Sequence, residues 1–165
     1  MNDGGCPRAL CDALLGRGRP HRVAAVDGGL YLAALAAAEV AVLSLETTAA
    51  GLRACRRLGV PAIPFQPRLD GLPALDFDLA IGIRDSAPSD ARAAAQWAAT
   101  LAGLSPQLLV AVAPWSEARL AELFAASGHV PVPSATVALR RALAAAGVET
   151  FEATHLLACE KRDGS

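Results

Sequence analysis

The stretch that decides the fold runs from residue 23 to residue 46 and reads VAAVDGGLYLAALAAAEVAVLSLE. An apolar run at 23–26 ends in Asp27-Gly28-Gly29, residues 30–38 suit a helix, and a second apolar run ends in Glu46. This pattern predicts a parallel βαβ unit with a glycine turn. In such a unit the turn lets backbone N–H groups approach a ligand, and an acid about 20 residues further on accepts from a ribose hydroxyl. The stretch therefore predicts a nucleoside-bearing ligand.

The whole chain has the size and composition of one domain. It has 165 residues, of which 53% are hydrophobic and 19% are charged, so it can bury a single core. We expect one domain over residues 1–165, with a leading helix and a basic linker at 1–22 and a polar tail at 163–165. The net charge of -1 argues against a nucleic-acid partner, because capture of nucleic acid needs a concentrated basic surface.

The spacing of the cysteines bears on metal binding, and the length of the apolar runs bears on membrane association. Cys6, Cys11, Cys55 and Cys159 lack the spacing of a zinc site, so we expect reduced structural thiols and no metal. No apolar run reaches the roughly 18 to 20 residues that cross a bilayer, and the N-terminus has no basic region followed by an apolar core. We expect no membrane association and a cytoplasmic location.

Strand-like and helix-like segments alternate after the opening unit. The predicted elements are a helix at 49–58 capped by Thr47 or Thr48, a short strand near 60–65, a strand at 77–83, a helix at 91–101 introduced by Ser86 and carrying Trp97 in the core, a strand at 108–113, a helix at 116–124, an extended segment at 129–133, a helix at 136–146, and one strand or two antiparallel strands within 148–159. This alternation predicts an α/β fold of three layers, in which helices cover both faces of a doubly wound, mostly parallel sheet.

Ligands of such sheets bind where the strands end at their carboxyl termini, near the point at which strand order reverses. The predicted rim consists of residues 27–31, 46–48, 65–70, 84–86 and 113–116.

Four landmarks carry a resemblance to a known family. They are the unit at 23–46, the phrase Leu72-Pro73 before Phe77-Asp-Leu-Ala-Ile81, the strand at 108–113, and the ending at 139–162. In this order they resemble the class I S-adenosylmethionine-dependent methyltransferases over residues 22–162. The resemblance implies a Rossmann-like methyltransferase fold with a C-terminal antiparallel strand, and S-adenosylmethionine as cofactor.

The resemblance also implies cofactor-binding residues. The family's loop reads acid-x-Gly-x-Gly-x-Gly, and of its glycines only Gly28 has a match when one deletion is allowed; a second alignment puts Asp27 at the acid. Glu46 matches the ribose-binding acid, although a surface acid beside a helix N-terminus is the alternative. The adenine-binding acid falls on Arg68; Asp70, two positions later, substitutes for it if the loop is shifted, and is otherwise a solvated loop acid. The predicted cofactor-binding residues are thus Asp27, Gly28, Gly29, Glu46 and Asp70.

A catalytic base is needed only for some methyl acceptors, since positioning supplies most of the rate of methyl transfer. Asp85, His129 and His155 are the candidate bases, with a structural role as the alternative for each histidine. Asp85 is preferred because it follows a predicted strand tip; capping the next helix or pairing with Arg84 are its alternative roles.

Three functions fit these observations. The first is a methyltransferase acting on a small-molecule acceptor, and the second is a non-catalytic protein of the same fold that serves as a binding, scaffolding or regulatory partner. The third is another doubly wound module, such as a nucleotide-binding or receiver domain. A chain so rich in alanine and leucine is also expected to expose apolar surface, which favours a homodimer or a partner protein.

Overall fold

The computed structural model describes residues 5–66 and 76–163. Its elements in chain order are α1 (Gly5–Arg17), β1 (Arg22–Val26), α2 (Gly29–Ala37), β2 (Ala41–Glu46), α3 (Ala49–Leu58), β3 (Ala62–Pro64), β4 (Leu79–Arg84), α4 (Ala91–Leu104), β5 (Gln107–Val112), α5 (Glu117–Ala125), β6 (His129–Pro131), α6 (Pro133–Ala145), α7 (Phe151–His155) and β7 (Leu157–Lys161). Strands and helices alternate as the sequence pattern predicts.

The strands form one sheet of seven in the order β3-β2-β1-β4-β5-β7-β6. The pairs β1–β2, β1–β4, β2–β3 and β4–β5 are parallel, whereas β7 runs antiparallel to both β5 and β6. The doubly wound sheet and its C-terminal antiparallel strand are therefore confirmed. Strand order reverses between β1 and β4, which makes the carboxyl ends of these strands the expected ligand edge.

Helices cover both faces of the sheet and give three layers. Val23 and Ala25 of β1 belong to the core shared with α1, α2 and α6, while Ala24 and Val26 belong to the core shared with α4 and α5. Trp97 of α4 is 3% exposed and lies edge-on to Phe124, with 5.6 Å between ring centroids. This confirms that Trp97 is a core residue.

The structure corrects the prediction for residues 148–159. A short helix, α7, precedes β7 there, so the segment is neither a single strand nor a pair of strands. The Thr150 hydroxyl accepts from the Ala153 N–H and the Thr154 hydroxyl donates to the Thr150 carbonyl. These hydrogen bonds close a helical turn, although the β-branched and aromatic residues of the segment favour a strand.

Two other helix starts also differ from the prediction. Asp90, rather than Ser86, caps α4, because its carboxylate accepts from the Ala93 N–H at 2.8 Å. Helix α6 begins at Pro133, three residues earlier than predicted; proline suits the first helical turn because its missing N–H has no helical partner there.

All four cysteines are buried and unpaired. Within the residues that the structure describes, no helix combines the length and apolar character that a membrane span requires.

Gly82 of β4 allows α4 to lie close against the sheet. A Cβ atom at this position would overlap the side chain of Leu101 and would lie 2.8 Å from Cζ2 of Trp97. Both neighbours are buried, so neither can move into solvent.

We expect Gly82→Ala to lower the free energy of unfolding by about 1 to 3 kcal/mol, the usual cost of overpacking a core. Gly16→Ala is the matched control, because Gly16 lies in α1 with no atom within 4 Å of an added Cβ. Alanine there should stabilise by up to about 1 kcal/mol through helix propensity. Urea denaturation measures both values, and equal stability of the two variants would refute the packing argument.

Candidate functional site

A cavity of about 670 Å³ opens beside the carboxyl ends of β1, β2 and β4. Its wall includes Gly28, Glu46 and Asp85 from the strand ends, together with Tyr31 of α2 and Glu152 of α7. This volume lies within the range of small-molecule and cofactor sites, and the position is the expected one for a doubly wound sheet.

Four predicted site residues line this cavity: Asp27, Gly28, Glu46 and Asp85. Gly29 lies behind the wall, where it is buried against Cys55 and Glu46. Asp70 and Arg68 fall outside the described residues. The geometry thus brings the loop after β1, the end of β2 and the end of β4 to one space, while the ligand-binding role of each residue stays a prediction.

Glu46 is the last residue of β2, and its carboxylate accepts hydrogen bonds from buried side chains. The residue is 4% exposed, which rules out the alternative of a surface acid. Its Oε1 accepts from Ser44 Oγ at 2.6 Å and from Cys55 Sγ at 3.1 Å. Burial, reinforced by Glu46, raises the pKa of the Cys55 thiol to about 11, so the thiol keeps its proton at neutral pH and acts as a donor.

Two glycines make room for this carboxylate. A Cβ at Gly51, in the first turn of α3, would overlap Oε2 of Glu46. A Cβ at Gly29 would overlap Sγ of Cys55 and lie 3.5 Å from Oε1. Larger residues at either position would displace the thiol or the carboxylate.

Asp27 connects the ends of β1 and β2. Its Oδ1 accepts from the Thr47 N–H and its Oδ2 from the Thr47 hydroxyl, each at 2.7 Å. The Asp27 N–H donates to the Leu45 carbonyl at 2.9 Å. Asp27 has φ 51°, in the left-handed region that aspartate tolerates better than most residues. The side chain is therefore a clasp that fixes the β2 end relative to the glycine turn.

Asp85 lies directly after β4 and is exposed at the cavity wall. Asp90 caps the following helix, so capping is not the role of Asp85. Among residues 5–66 and 76–163, Glu117 and Arg140 form the one ion pair, with 2.7 Å between Oε1 and Nη1, so Asp85 does not pair with Arg84.

Tyr31 faces the same space as Asp85. Burial, together with the nearby Cys6, Glu152 and Asp85, raises the pKa of Tyr31 above its ordinary range. The side chain consequently remains a neutral phenol, which donates a hydrogen bond but does not serve as a base near neutral pH.

The two histidine candidates lie elsewhere. His129 begins β6 opposite Lys161, at the edge of the sheet where β5 starts, and its ring nitrogens lie 3.2 and 3.3 Å from the Ser127 and Ser105 carbonyls. His155 stacks on Phe151 in α7 and is not part of the cavity wall. Of the three candidate bases, only Asp85 lines the cavity.

Sequence reasoning missed the residues that hold Glu46. Ser44 is a polar residue inside an otherwise apolar strand, which is a signal of a hydrogen-bonding role. Cys55 carries no such signal, because its contact with Glu46 depends on how α3 packs against β2. Tyr31 and Glu152 reach the cavity from helices whose orientation only the fold reveals.

Known structures share this architecture. A TehB-like SAM-dependent methyltransferase from Corynebacterium glutamicum is 10% identical, with a TM-score of 0.61 over 94% of this chain and 88% of that chain. An S-adenosylmethionine-dependent methyltransferase from Mesorhizobium loti is 16% identical, with a TM-score of 0.59 over 98% and 100%. The 16S rRNA N2 G1207 methyltransferase of T. Thermophilus, solved with AdoMet and guanosine, is 18% identical, with a TM-score of 0.56 over 93% of this chain but 39% of its own.

The chain has the class I methyltransferase fold. At these identities the likeness establishes the fold alone. No protein-family model and no curated protein matches the sequence.

Asp27→Ala tests the clasp in this methyltransferase fold. It removes two hydrogen bonds to a charged group and places alanine at a positive φ, so we expect the free energy of unfolding to fall by about 1 to 3 kcal/mol. Asp27→Asn is the matched control, because asparagine keeps an acceptor for the Thr47 N–H and tolerates this φ. Urea denaturation should show a loss under about 1 kcal/mol for Asp27→Asn; equal losses in both variants would count against the clasp.

The buried His129 should make stability depend on pH. Burial lowers the pKa of His129 in the folded protein, so below the ordinary value of about 6.5 the unfolded chain binds the proton more readily. The contribution of His129 to the free energy of unfolding is therefore complete above a pH of about 6.5 and declines as the pH falls below it. Urea denaturation at pH 7.5 and 5.5 should show lower stability at 5.5. The pH effect should shrink in His129→Gln and persist in His155→Gln; an unchanged effect in His129→Gln would contradict this origin.

Proposed function

We propose that this protein binds S-adenosylmethionine in the 670 Å³ cavity and transfers its methyl group to a small molecule. The observation that carries the proposal is the convergence of Gly28 and Glu46 on one cavity at the point where strand order reverses. Under this proposal Glu46 accepts a hydrogen bond from the ribose, and the turn at Gly28, which lines the cavity, contacts the methionine end of the cofactor. Asp27 acts indirectly, since both its carboxylate oxygens already accept from Thr47.

For methyl transfer the main task of the protein is to position the cofactor and the acceptor. Bound S-adenosylmethionine would supply the methyl group, which would pass to a nucleophile of the acceptor as its bond to the sulfonium sulfur breaks, leaving S-adenosylhomocysteine. Holding the two reactants in line supplies most of the rate. Where the acceptor must lose a proton, Asp85 is the proposed recipient, because it lines the cavity and no described residue pairs with it.

The charge of the cavity wall supports a small acceptor. Among the residues that the structure describes, four acids line it against one cation, Arg84; the acids are Asp27, Glu46, Asp85 and Glu152. A negative wall suits the positive sulfonium of the cofactor and repels polyanions such as nucleic acid. We therefore propose a neutral or cationic small molecule as acceptor.

A non-catalytic binding or regulatory protein is the second candidate. It is favoured by the internal hydrogen bonds of Asp27 and Glu46 and by a loop in which, of the family's glycines, only Gly28 has a match. Under this alternative the acids stabilise the fold, and the cavity takes no sulfonium ligand.

Cofactor binding by the wild type separates the two candidates, and Glu46→Gln tests the role of Glu46 in that binding. The amide keeps the shape of the side chain, and its oxygen can still accept from Ser44 and Cys55, but it offers N–H where the carboxylate offers Oε2. We expect S-adenosylmethionine and S-adenosylhomocysteine to bind the wild type, and binding to Glu46→Gln to be weaker by about 1 to 3 kcal/mol. Isothermal titration calorimetry measures both affinities.

Glu122→Ala is the control, since Glu122 is an exposed acid of α5 away from the cavity wall. It should bind like the wild type. Absence of binding to the wild type at millimolar ligand would remove the methyltransferase proposal and favour the non-catalytic one. Equal binding by wild type and Glu46→Gln would show that the ribose lies elsewhere.

A further inference from the structure

A second cavity, larger than the one proposed for the cofactor, lies at the opposite edge of the sheet, where β1, β4 and β5 start. Its volume is about 830 Å³, within the range of small-molecule sites. Leu14 of α1 and Leu139 of α6 give it an apolar part, and both belong to the core on that face of the sheet. Among the described residues, the walls of the two cavities have none in common.

One wall of this cavity is the basic segment 17–22, which leads from the end of α1 into β1. It reads Arg-Gly-Arg-Pro-His-Arg, and every one of its residues lines the cavity. Nη2 of Arg19 donates to the Ala38 carbonyl, so that guanidinium is already engaged. Within residues 5–66 and 76–163, no hydrogen bond or ion pair engages the side chains of Arg17 and Arg22. These two guanidinium groups are therefore available to a ligand.

Asp78, directly before β4, fixes the backbone of the basic segment. Its Oδ2 accepts from the His21 N–H at 2.7 Å and from the Arg22 N–H at 2.9 Å. The hydrogen bond from Arg22, reinforced by the one from His21, lowers the pKa of the Asp78 carboxyl, so it stays ionised at neutral pH. Because the backbone is already fixed, a ligand has to order only the arginine side chains.

The start of α6 adds backbone donors to the same cavity. Val132 occupies the cap position of this helix, and no side chain caps it. Ser134 and Ala135 line the cavity, and no described group outside the helix accepts from their N–H groups. Free N–H groups in the first turn, together with the helix dipole, favour a negative group.

Acids in the wall limit its positive charge. Asp76 and Glu160 line the cavity in addition to Asp78, so the described part of the wall holds three arginines and three carboxylates. Nucleic acid and other polyanions need an extended basic surface, which this balance does not provide. The wall instead suits a small molecule with one localised negative group.

We infer that this cavity binds a small molecule through an oxyanion, a phosphate or a carboxylate, held by Arg17, Arg22 and the first turn of α6. The planar guanidinium donates to two oxygens of either group at once. The apolar part at Leu14 and Leu139 contacts the remainder of the molecule. The inference stands apart from the proposed cofactor site and does not depend on it.

Isothermal titration calorimetry tests the role of the arginines, with inorganic phosphate and succinate as probes at constant ionic strength. We expect at least one probe to bind the wild type at millimolar concentration, and the one that binds identifies the oxyanion. Arg17→Gln and Arg22→Gln should each weaken binding about tenfold, the scale of one hydrogen bond to a charged group. Arg57→Gln is the matched control, because Arg57 is an exposed arginine of α3 outside this wall. The inference is overturned if neither probe binds, or if all three variants bind like the wild type.

Amide chemical shifts locate the bound probe without any substitution. In ¹⁵N-correlated NMR spectra of the wild type, the Ser134 and Ala135 resonances should move as the probe binds. The starts of α3 and α5 are the internal controls, because Thr48 and Ser116 already cap these helices. Their first-turn resonances should stay in place. Equal movement at all three helix starts would show non-specific anion binding and would overturn the assignment of the site.

Discussion

Burial of a carboxylate is costly unless hydrogen bonds replace its lost water, and at Glu46 the replacement comes from Ser44 and Cys55. This requirement links three elements, because Ser44 precedes Glu46 on β2, Cys55 belongs to α3 and Gly29 opens α2. The close approach of α2 and α3 at the end of β2 depends on glycine at the points of contact. The geometry of the candidate site is thus a consequence of how one charge is accommodated.

The sheet order brings this local arrangement together with the other polar residues of the candidate site. Because β1 lies between β2 and β4, the Asp27 clasp, the Glu46 carboxylate and Asp85 meet along one edge of the sheet. At the opposite edge the ring nitrogens of His129 lie beside two backbone carbonyls, to one of which the neutral ring can donate, and the residue is away from this cavity. The residues of the fold and of the site are therefore largely distinct: the two cores pack against the faces of the sheet, and the strand ends carry the polar groups.

Much of the fold was predictable because its signals are local. The apolar runs of β1, β2, β4 and β5 mark buried parallel strands, and Thr48 and Ser116 cap the helices that they precede. Residues 151–155 form a helix where a strand was predicted, because β-branched side chains favour a strand whereas the local hydrogen bonds of Thr150 and Thr154 close a helical turn. The pairing of Cys55 with Glu46 could not be foreseen, since it joins residues nine positions apart through the packing of a helix on a strand.

A crystal structure of the protein grown with S-adenosylhomocysteine tests the central claim most directly. The account predicts the ligand in the cavity at the ends of β1, β2 and β4, with one ribose hydroxyl within hydrogen-bond distance of Oε2 of Glu46 and with Ser44 and Cys55 still bound to Oε1. A ligand bound elsewhere, or a Glu46 side chain that contacts no part of the ribose, would contradict it.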